Sequence, residues 1–294
     1  MLKILYATDG SASASGAARF LARLPHPDSV SIHLLTVRPT GERSNGEGER
    51  ILADVRSVLT AFSGAIHETI AHADGNAKIA ETIIFEARRV AADLIVLGIG
   101  GQSAWRRLLV GSVADVVVRK APLPVMLAGP VVGDAFDRIL IGFDGSEHAR
   151  IAAAWLPRLP LSEQCAVRLF SVVLPHPVFT GGAGILLKVS GTDPDRLSDR
   201  DRERIAAAAP PMIAELRRMG VSVPIGSDIV EDRDAGEALI EAARADRTDL
   251  VIVGSKGTTG AEDALLGSVS EHILHHAPCS VLVVRPVPGV TGSD

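Results

Sequence analysis

Gly98-Ile99-Gly100-Gly101, nine further residues, then Gly111-Ser112: this stretch decides how the chain is read. It recurs as Gly254-Ser255-Lys256-Gly257, nine residues, then Gly267-Ser268. Both follow the spacing G-x-x-G-x9-G-S. Each comes after an apolar run, Leu94-Ile95-Val96-Leu97 in one half and Leu250-Val251-Ile252-Val253 in the other. Each precedes a helix-like stretch. Glycines behind a strand let the backbone turn sharply and approach a ligand closely. A helix opening at Gly-Ser offers N–H groups and a positive dipole end to an anion. The pattern points to two phosphate-binding loops on one duplicated fold.

The duplication extends outward from the glycines. Lys3-Ile4-Leu5-Tyr6-Ala7-Thr8-Asp9-Gly10-Ser11 parallels Arg138-Ile139-Leu140-Ile141-Gly142-Phe143-Asp144-Gly145-Ser146, and Ile32 to Val37 parallels Val167 to Val172. These pairs lie 135 apart, whereas the glycine strings lie 156 apart. An insertion of 21 residues must therefore fall between Val172 and Gly254. We place it at about 175–196, where Gly181-Gly182-Ala183-Gly184 interrupts any period.

Each half alternates strand and helix, which predicts an α/β fold with a parallel sheet covered by helices on both faces. Predicted strands fall near 2–8, 30–37, 65–71, 93–98 and 124–128, then 138–143, 166–173, 223–230, 249–254 and 280–285. Predicted helices fall near 12–23, 47–62, 77–90 and 111–120, then 147–156, 197–219, 234–245 and 267–276. Such sheets bind ligands beyond the carboxyl ends of their strands, where the strand order reverses. Asp9 and Asp144 follow first strands, while Gly98 and Gly254 close fourth strands. If strands one and four are neighbours, aspartate and glycine loop converge on one crevice. The domains expected are 1–130 and 137–287, the second containing the insertion, with a 288–294 tail.

Composition narrows the classes. At 294 residues the chain suits about two domains. Aromatics make up 3%, so the cores must be aliphatic, and Val/Ile/Leu runs suit buried parallel strands. The net charge of −5 argues against general nucleic-acid binding. It divides unevenly, +2 over residues 1–132 and −7 over 133–294. No apolar run reaches the roughly 18–20 residues of a membrane span, and the N-terminus runs straight into a strand pattern rather than a secretory signal. Two cysteines, Cys165 and Cys279, make no disulfide framework and fit a reducing cytoplasm. Both are expected as buried apolar residues. His272, His275 and His276 are read as structural rather than as metal ligands. The charged run Arg196 to Arg204 is read as a solvated helix face with local ion pairs. The glycines match neither a Walker A loop nor a dinucleotide fingerprint.

In order, and twice over, these elements resemble the universal stress protein family in its tandem two-domain form. They are a first strand ending in Asp-Gly-Ser, the fourth strand, the glycine string, and a closing Ala-Pro-x-x-Val at Ala121-Pro122-Leu123-Pro124-Val125 and Ala277-Pro278-Cys279-Ser280-Val281. The resemblance implies two Rossmann-like domains of the adenine nucleotide alpha hydrolase-like kind. Each would hold a five-stranded parallel sheet of order 3-2-1-4-5. It also implies ATP binding, possible with magnesium. Asp9 and Asp144 would then sit by the adenosine, and Val37 and Val172 would offer backbone contacts to the adenine edge. Gly98, Gly101, Gly111 and Ser112 would hold the phosphates in one half, and Gly254, Gly257, Gly267 and Ser268 in the other. The implied function is a nucleotide-sensing regulator of the stress response acting through an unidentified protein partner. A slow ATP hydrolase or phosphoryl donor, and a scaffold with vestigial sites, stay open as alternatives. No catalytic base is evident beside either loop, since phosphoryl transfer needs a metal-holding constellation and an orienting residue.

At the 156 offset Gly100 faces Lys256, Arg106 faces Glu262, and Arg107 faces Asp263. From these charges the first site is expected to bind ATP more tightly. Single-domain relatives commonly dimerise through the fifth strand. The apolar segments Val125-Met126-Leu127 and Val281-Leu282-Val283-Val284 can instead pair with each other, as an internal pseudo-dimer. A homodimer of the whole chain remains open.

Overall fold

The computed structural model describes residues 1–22, 24, 27–41, 46–99, 110–129, 135–174, 194–232, 234–257 and 265–286. Of these, the side chains of 12–15, 27 and 194–198 are left aside. Gly101, residues 175–193 of the expected insertion, the charged residues Arg106, Arg107, Glu262 and Asp263, and the 288–294 tail lie outside that description.

The first half supplies β1 (Leu2–Ala7), α1 (Ala12–Leu21), β2 (Val30–Arg38), α2 (Glu47–Val58), β3 (Ala65–His72), α3 (Asn76–Arg89), β4 (Leu94–Gly98), α4 (Ser112–Lys120) and β5 (Val125–Ala128). The second supplies β6 (Phe136–Gly142), α5 (Glu147–Ala153), β7 (Leu161–Val173), α6 (Pro194–Arg218), β8 (Ile225–Glu231), α7 (Ala235–Ala245), β9 (Leu250–Gly254), α8 (Ser268–His276) and β10 (Ser280–Val284). Within each half the strand order is 3-2-1-4-5 and all neighbours are parallel. The five-stranded sheet expected of each half is not a unit by itself, because the two fifth strands pair as their apolar segments allow. Among the described residues the strands form one sheet, β3-β2-β1-β4-β5-β10-β9-β6-β7-β8. Its two halves join at an antiparallel β5–β10 pair, with Leu282 opposite Met126.

That seam has a physical cause. The β5 and β10 residues are all buried, as expected of apolar edges that cover each other. No residue of the outer strands β3 and β8 is fully buried, so both tolerate being edges. Two continuous cores flank the sheet. One joins α1 and α2 to α5 and α6, with the Phe20 and Phe136 rings 5.5 Å apart across the halves. The other joins α3 and α4 to α7 and α8. Arg285, just past β10, donates from Nη2 to Val118 O and Arg119 O at 2.8 and 2.9 Å, closing the C-terminal carbonyls of α4.

Helix α6 corrects one sequence reading and bears out another. It begins at Pro194, so the last three residues of the expected insertion are helical. It also runs through Pro210-Pro211, although an interior proline disfavours helix by about 3 kcal/mol. Ile205, Ala209, Met212 and Leu216 are buried at helical spacing, so tertiary packing overrides local propensity. Cys165 and Cys279 are both buried free thiols. Burial pushes them up to about 11 and about 12, which keeps them protonated.

Candidate functional site

Each half ends its first strand in the same turn. Asp9 Oδ1 accepts from Ser11 N at 2.9 Å, and Asp144 Oδ1 accepts from Ser146 N at 3.0 Å. The glycine between them adopts a left-handed conformation, φ +77° at Gly10 and +73° at Gly145. The chain therefore leaves the strand sharply and enters α1 or α5 with the carboxylate held at the sheet's edge. In the second half Ser146 also accepts from Ala149 N, as an N-cap does.

The neighbouring second strand continues past that turn. Thr8 N donates to Leu35 O, while Ala73 N donates to Arg38 O on the other side of β2. Polar backbone groups alternate sides along a strand. Val37, two residues beyond Leu35, thus turns its N–H and C=O towards the space that β1 has vacated. The same geometry holds for Val172, because Phe143 N donates to Phe170 O and Asp232 N to Val173 O. Below the first turn lies Tyr6, whose phenol burial pushes far above its ordinary value; it stays neutral beside Thr8.

The fourth strands end at the other wall. Helices α4 and α8 begin with glycine at the N-cap, Gly111 and Gly267, which bring no capping side chain to the first-turn N–H groups. Close approach is built into the second loop. A Cβ on Gly257 would lie 2.9 Å from Asp144 Oδ2, and one on Gly254 would lie 2.9 Å from the His148 backbone. Gly267 N also donates to Ser255 O at 2.7 Å, which folds the loop back on itself.

Turn, strand and helix start enclose one cavity per half. The first measures about 360 Å³ and is lined by Asp9, Val37, Gly98, Gly111 and Ser112. The second measures about 240 Å³ and is lined by Asp144, Val172, Gly254, Gly257, Gly267 and Ser268. Eleven of the twelve singled-out residues thus converge on two crevices, and Gly101 lies outside the described residues. The four charged residues on which a tighter first site was expected lie outside them as well.

Three residues of the walls escaped the sequence reading. Asn76 opens α3 and donates from Nδ2 to Ser112 Oγ at 2.7 Å, joining two helix starts across the first crevice. Its signal was an asparagine at a helix start. Asp201 and Arg204 line the second crevice. Arg204 Nη1 donates to Asp144 O at 2.6 Å, so this part of α6 is not only a solvated face. The local ion pair expected there is present, Arg204 Nη2 to Asp201 Oδ1 at 3.3 Å.

The histidines of α8 are held by ordinary contacts. His272 Nε2 lies 3.1 Å from Glu237 Oε2, and His276 Nδ1 donates to His272 O at 2.9 Å. His275 Nε2 lies 3.3 Å from both Asp115 Oδ1 and Arg119 Nη2. Arg119 in turn bonds Asp115 of α4 and Glu271 of α8, so this cluster fastens the two halves beside the β5–β10 seam. No group of three or more His, Cys, Asp or Glu among the described residues is arranged to hold a metal ion.

Two Rossmann-like units with this corner geometry define the class. The chain belongs to the universal stress protein family, whose sequence profile matches residues 1–129 and again 135–285. Universal stress protein Rv2005c of Mycobacterium tuberculosis is 30% identical over 198 residues, covering 66% of this chain and 62% of that protein. The match therefore spans about three fifths of the mycobacterial relative's length. Universal stress protein PHOS32 of Arabidopsis thaliana is 32% identical over 169 residues, covering 52% of this chain and 69% of its own. Among solved structures, a universal stress protein from Archaeoglobus fulgidus superposes with a TM-score of 0.65 at 19% identity, covering 96% of this chain and 98% of that one. The likeness extends the fold across both halves.

Proposed function

We propose that this protein binds ATP in both crevices and acts in the cytoplasm as a nucleotide-sensing regulator of the stress response, through a protein partner. One observation carries the reading. In each half a carboxylate turn, an outward-facing strand backbone and a glycine-capped helix start meet around a single cavity. The chemistry of these groups suits a nucleotide. A carboxylate accepts from ribose hydroxyls. Backbone N–H and C=O match the donor and acceptor of a base edge. Helix N–H groups and a first-turn hydroxyl hold phosphate oxygens. Lys256 adds a cation to the second crevice. A Cβ on Gly257 would press on the Asp144 carboxylate, so glycine there lets loop and carboxylate share the crevice without displacing each other. Among the described residues no helix is long and apolar enough to cross a membrane.

Mass spectrometry of nucleotide released from the denatured, purified protein tests the reading. Adenine nucleotide at about one to two equivalents per chain is expected. Protein free of nucleotide that also shows no heat of ATP binding would overturn it. Phosphate release at steady state would move the assignment from binder to slow hydrolase.

A further inference from the structure

We propose that Asn76 is a positioning residue of the first crevice, one that holds the Ser112 hydroxyl as an acceptor and so commits its proton to a phosphate oxygen of the ligand. The inference rests on the nucleotide reading given above and gives one further residue a part in it. Both side chains line the first cavity, and Asn76 Nδ2 donates to Ser112 Oγ at 2.7 Å. Ser112 is the first residue of α4, where helix N–H groups are available to an anion. The contact itself therefore puts Asn76 at the phosphate end of the crevice.

The chemistry follows from counting protons. A hydroxyl has one proton to give and two lone pairs to receive with. An ionised phosphate oxygen only accepts, so Ser112 serves it only by donating. A neighbour that accepted from Ser112 would compete with the phosphate for that single proton. The Asn76 amide donates instead, filling a lone pair and leaving the proton to the ligand. Being neutral, it does this without placing a negative charge beside the phosphate. Among the described residues Ser112 Oγ has no other hydrogen-bond partner.

The start of α3 is built to hold the amide there. Asp74 Oδ1 accepts from Thr40 N at 2.7 Å, which ties the preceding loop to the segment after β2. Gly75 then turns with φ +79°, and Asn76 enters the helix one residue later. The second half is built differently. Ile79 and Ile83 line the first cavity; Ala235 and Leu239, 156 residues on, line the second. Helix α7 begins at that Ala235, whereas α3 begins three residues before Ile79. At the same offset Asn76 meets Asp232, whose Oδ1 accepts from Asp234 N at 3.0 Å, outside the lining of the second cavity. The second crevice carries Lys256 in its glycine loop instead. An oriented neutral hydroxyl in one crevice thus stands against a cation in the other.

Calorimetry on the full chain tests the proposal, with Ser268→Glu present so that the first site is read. Asn76→Ala should weaken ATP binding about three- to tenfold and leave adenosine, which has no phosphate, bound as before. In a Ser112→Ala background the same substitution should change nothing, because the hydroxyl it positions is gone. Asn76→Asp, which only accepts, should weaken ATP binding more than Asn76→Ala does. Asn76 and Ser112 are both exposed, so the variants should melt with the parent protein. Unchanged ATP binding in Asn76→Ala, equal losses for ATP and adenosine, or a loss that persists without the Ser112 hydroxyl would overturn the positioning role while leaving nucleotide binding intact. Failure of the unsubstituted chain to bind ATP would overturn the nucleotide reading and this inference together.

Discussion

At the helix pair α3–α4 the first half carries Ala80 and Val116; at the places 156 residues on, α7 and α8 carry Gly236 and His272. A Cβ on Gly236 would lie 2.8 Å from His272 Cβ and Cγ. Where the first half has a small side chain and a medium one, the second has none and a large one. The helix starts differ in the same way. Helix α7 is capped by Asp234, which accepts from Gly236 N and Glu237 N at 2.8 and 3.0 Å. Helix α3 follows Gly75, without a capping side chain, and spends its Asn76 on Ser112. The corners that face the crevices are alike in the two halves, while the packing behind them differs in complementary residue sizes.

The strongest way to break this comparison is to disable one corner at a time. An added carboxylate near bound phosphate costs on the order of 1–4 kcal/mol at about 4 Å near a surface. Ser112→Glu and Ser268→Glu should each weaken their own crevice by at least tenfold and leave the other unchanged, as read by calorimetric stoichiometry. Loss of both sites from either substitution would show that the halves are not independent binders.

The next effect lies in the exchanged packing. Gly236→Ala should destabilise the protein by about 1–3 kcal/mol, because the new methyl meets the base of a side chain rather than its flexible end. Adding His272→Ala should recover much of that loss, which urea melts of the single and double variants would measure as non-additivity. A simple sum of the two penalties would mean that these residues do not share one space.

Asp234→Ala should cost about 1 kcal/mol at neutral pH. Hydrogen bonds from the Glu237 and Gly236 amides hold the Asp234 carboxyl below its ordinary value. Its contribution is therefore full above the ordinary carboxylate range and is lost as pH falls through the lowered native value. Thermal melts of parent and variant should differ at neutral pH and converge in strong acid. No such convergence is available at α3, where glycine precedes the helix.

The smallest effect belongs to the seam. Glu271→Gln removes the carboxylate that Arg119 holds across the halves and should cost a few tenths of a kcal/mol, since both partners are partly exposed. The Arg119 hydrogen bond keeps the Glu271 carboxyl below its ordinary value, so this contribution also fades as pH falls. High salt should shrink it further. A penalty that salt leaves untouched would point to packing rather than charge.

Much of the site was readable along the chain because its signals are local. Asp-Gly-Ser after an apolar strand specifies a left-handed glycine and a held carboxylate within three residues. The glycine strings mark helix starts for the same reason. Arg204 and Asp201 form the ion pair read from the sequence, but their place at a cavity rim was not legible, because a charged helical run looks the same whether its face meets water or a rim. Only the position of α6 over the Asp144 turn separates the two. Asn76 was passed over because its partner, Ser112, lies 36 residues away.

The sequence by itself determined the duplicated α/β units and the residues at each corner, because strand period, glycine conformation and helix starts are set by neighbours a few residues apart. Tertiary structure decided that β5 and β10, legible in the sequence as segments able to pair, do so antiparallel and join the two halves in one sheet. It also decided that α6 leans on the second crevice and that His272 fills the place left by Gly236. Those outcomes depend on burying apolar edges and filling shared volume between segments distant in the chain, which no local pattern encodes.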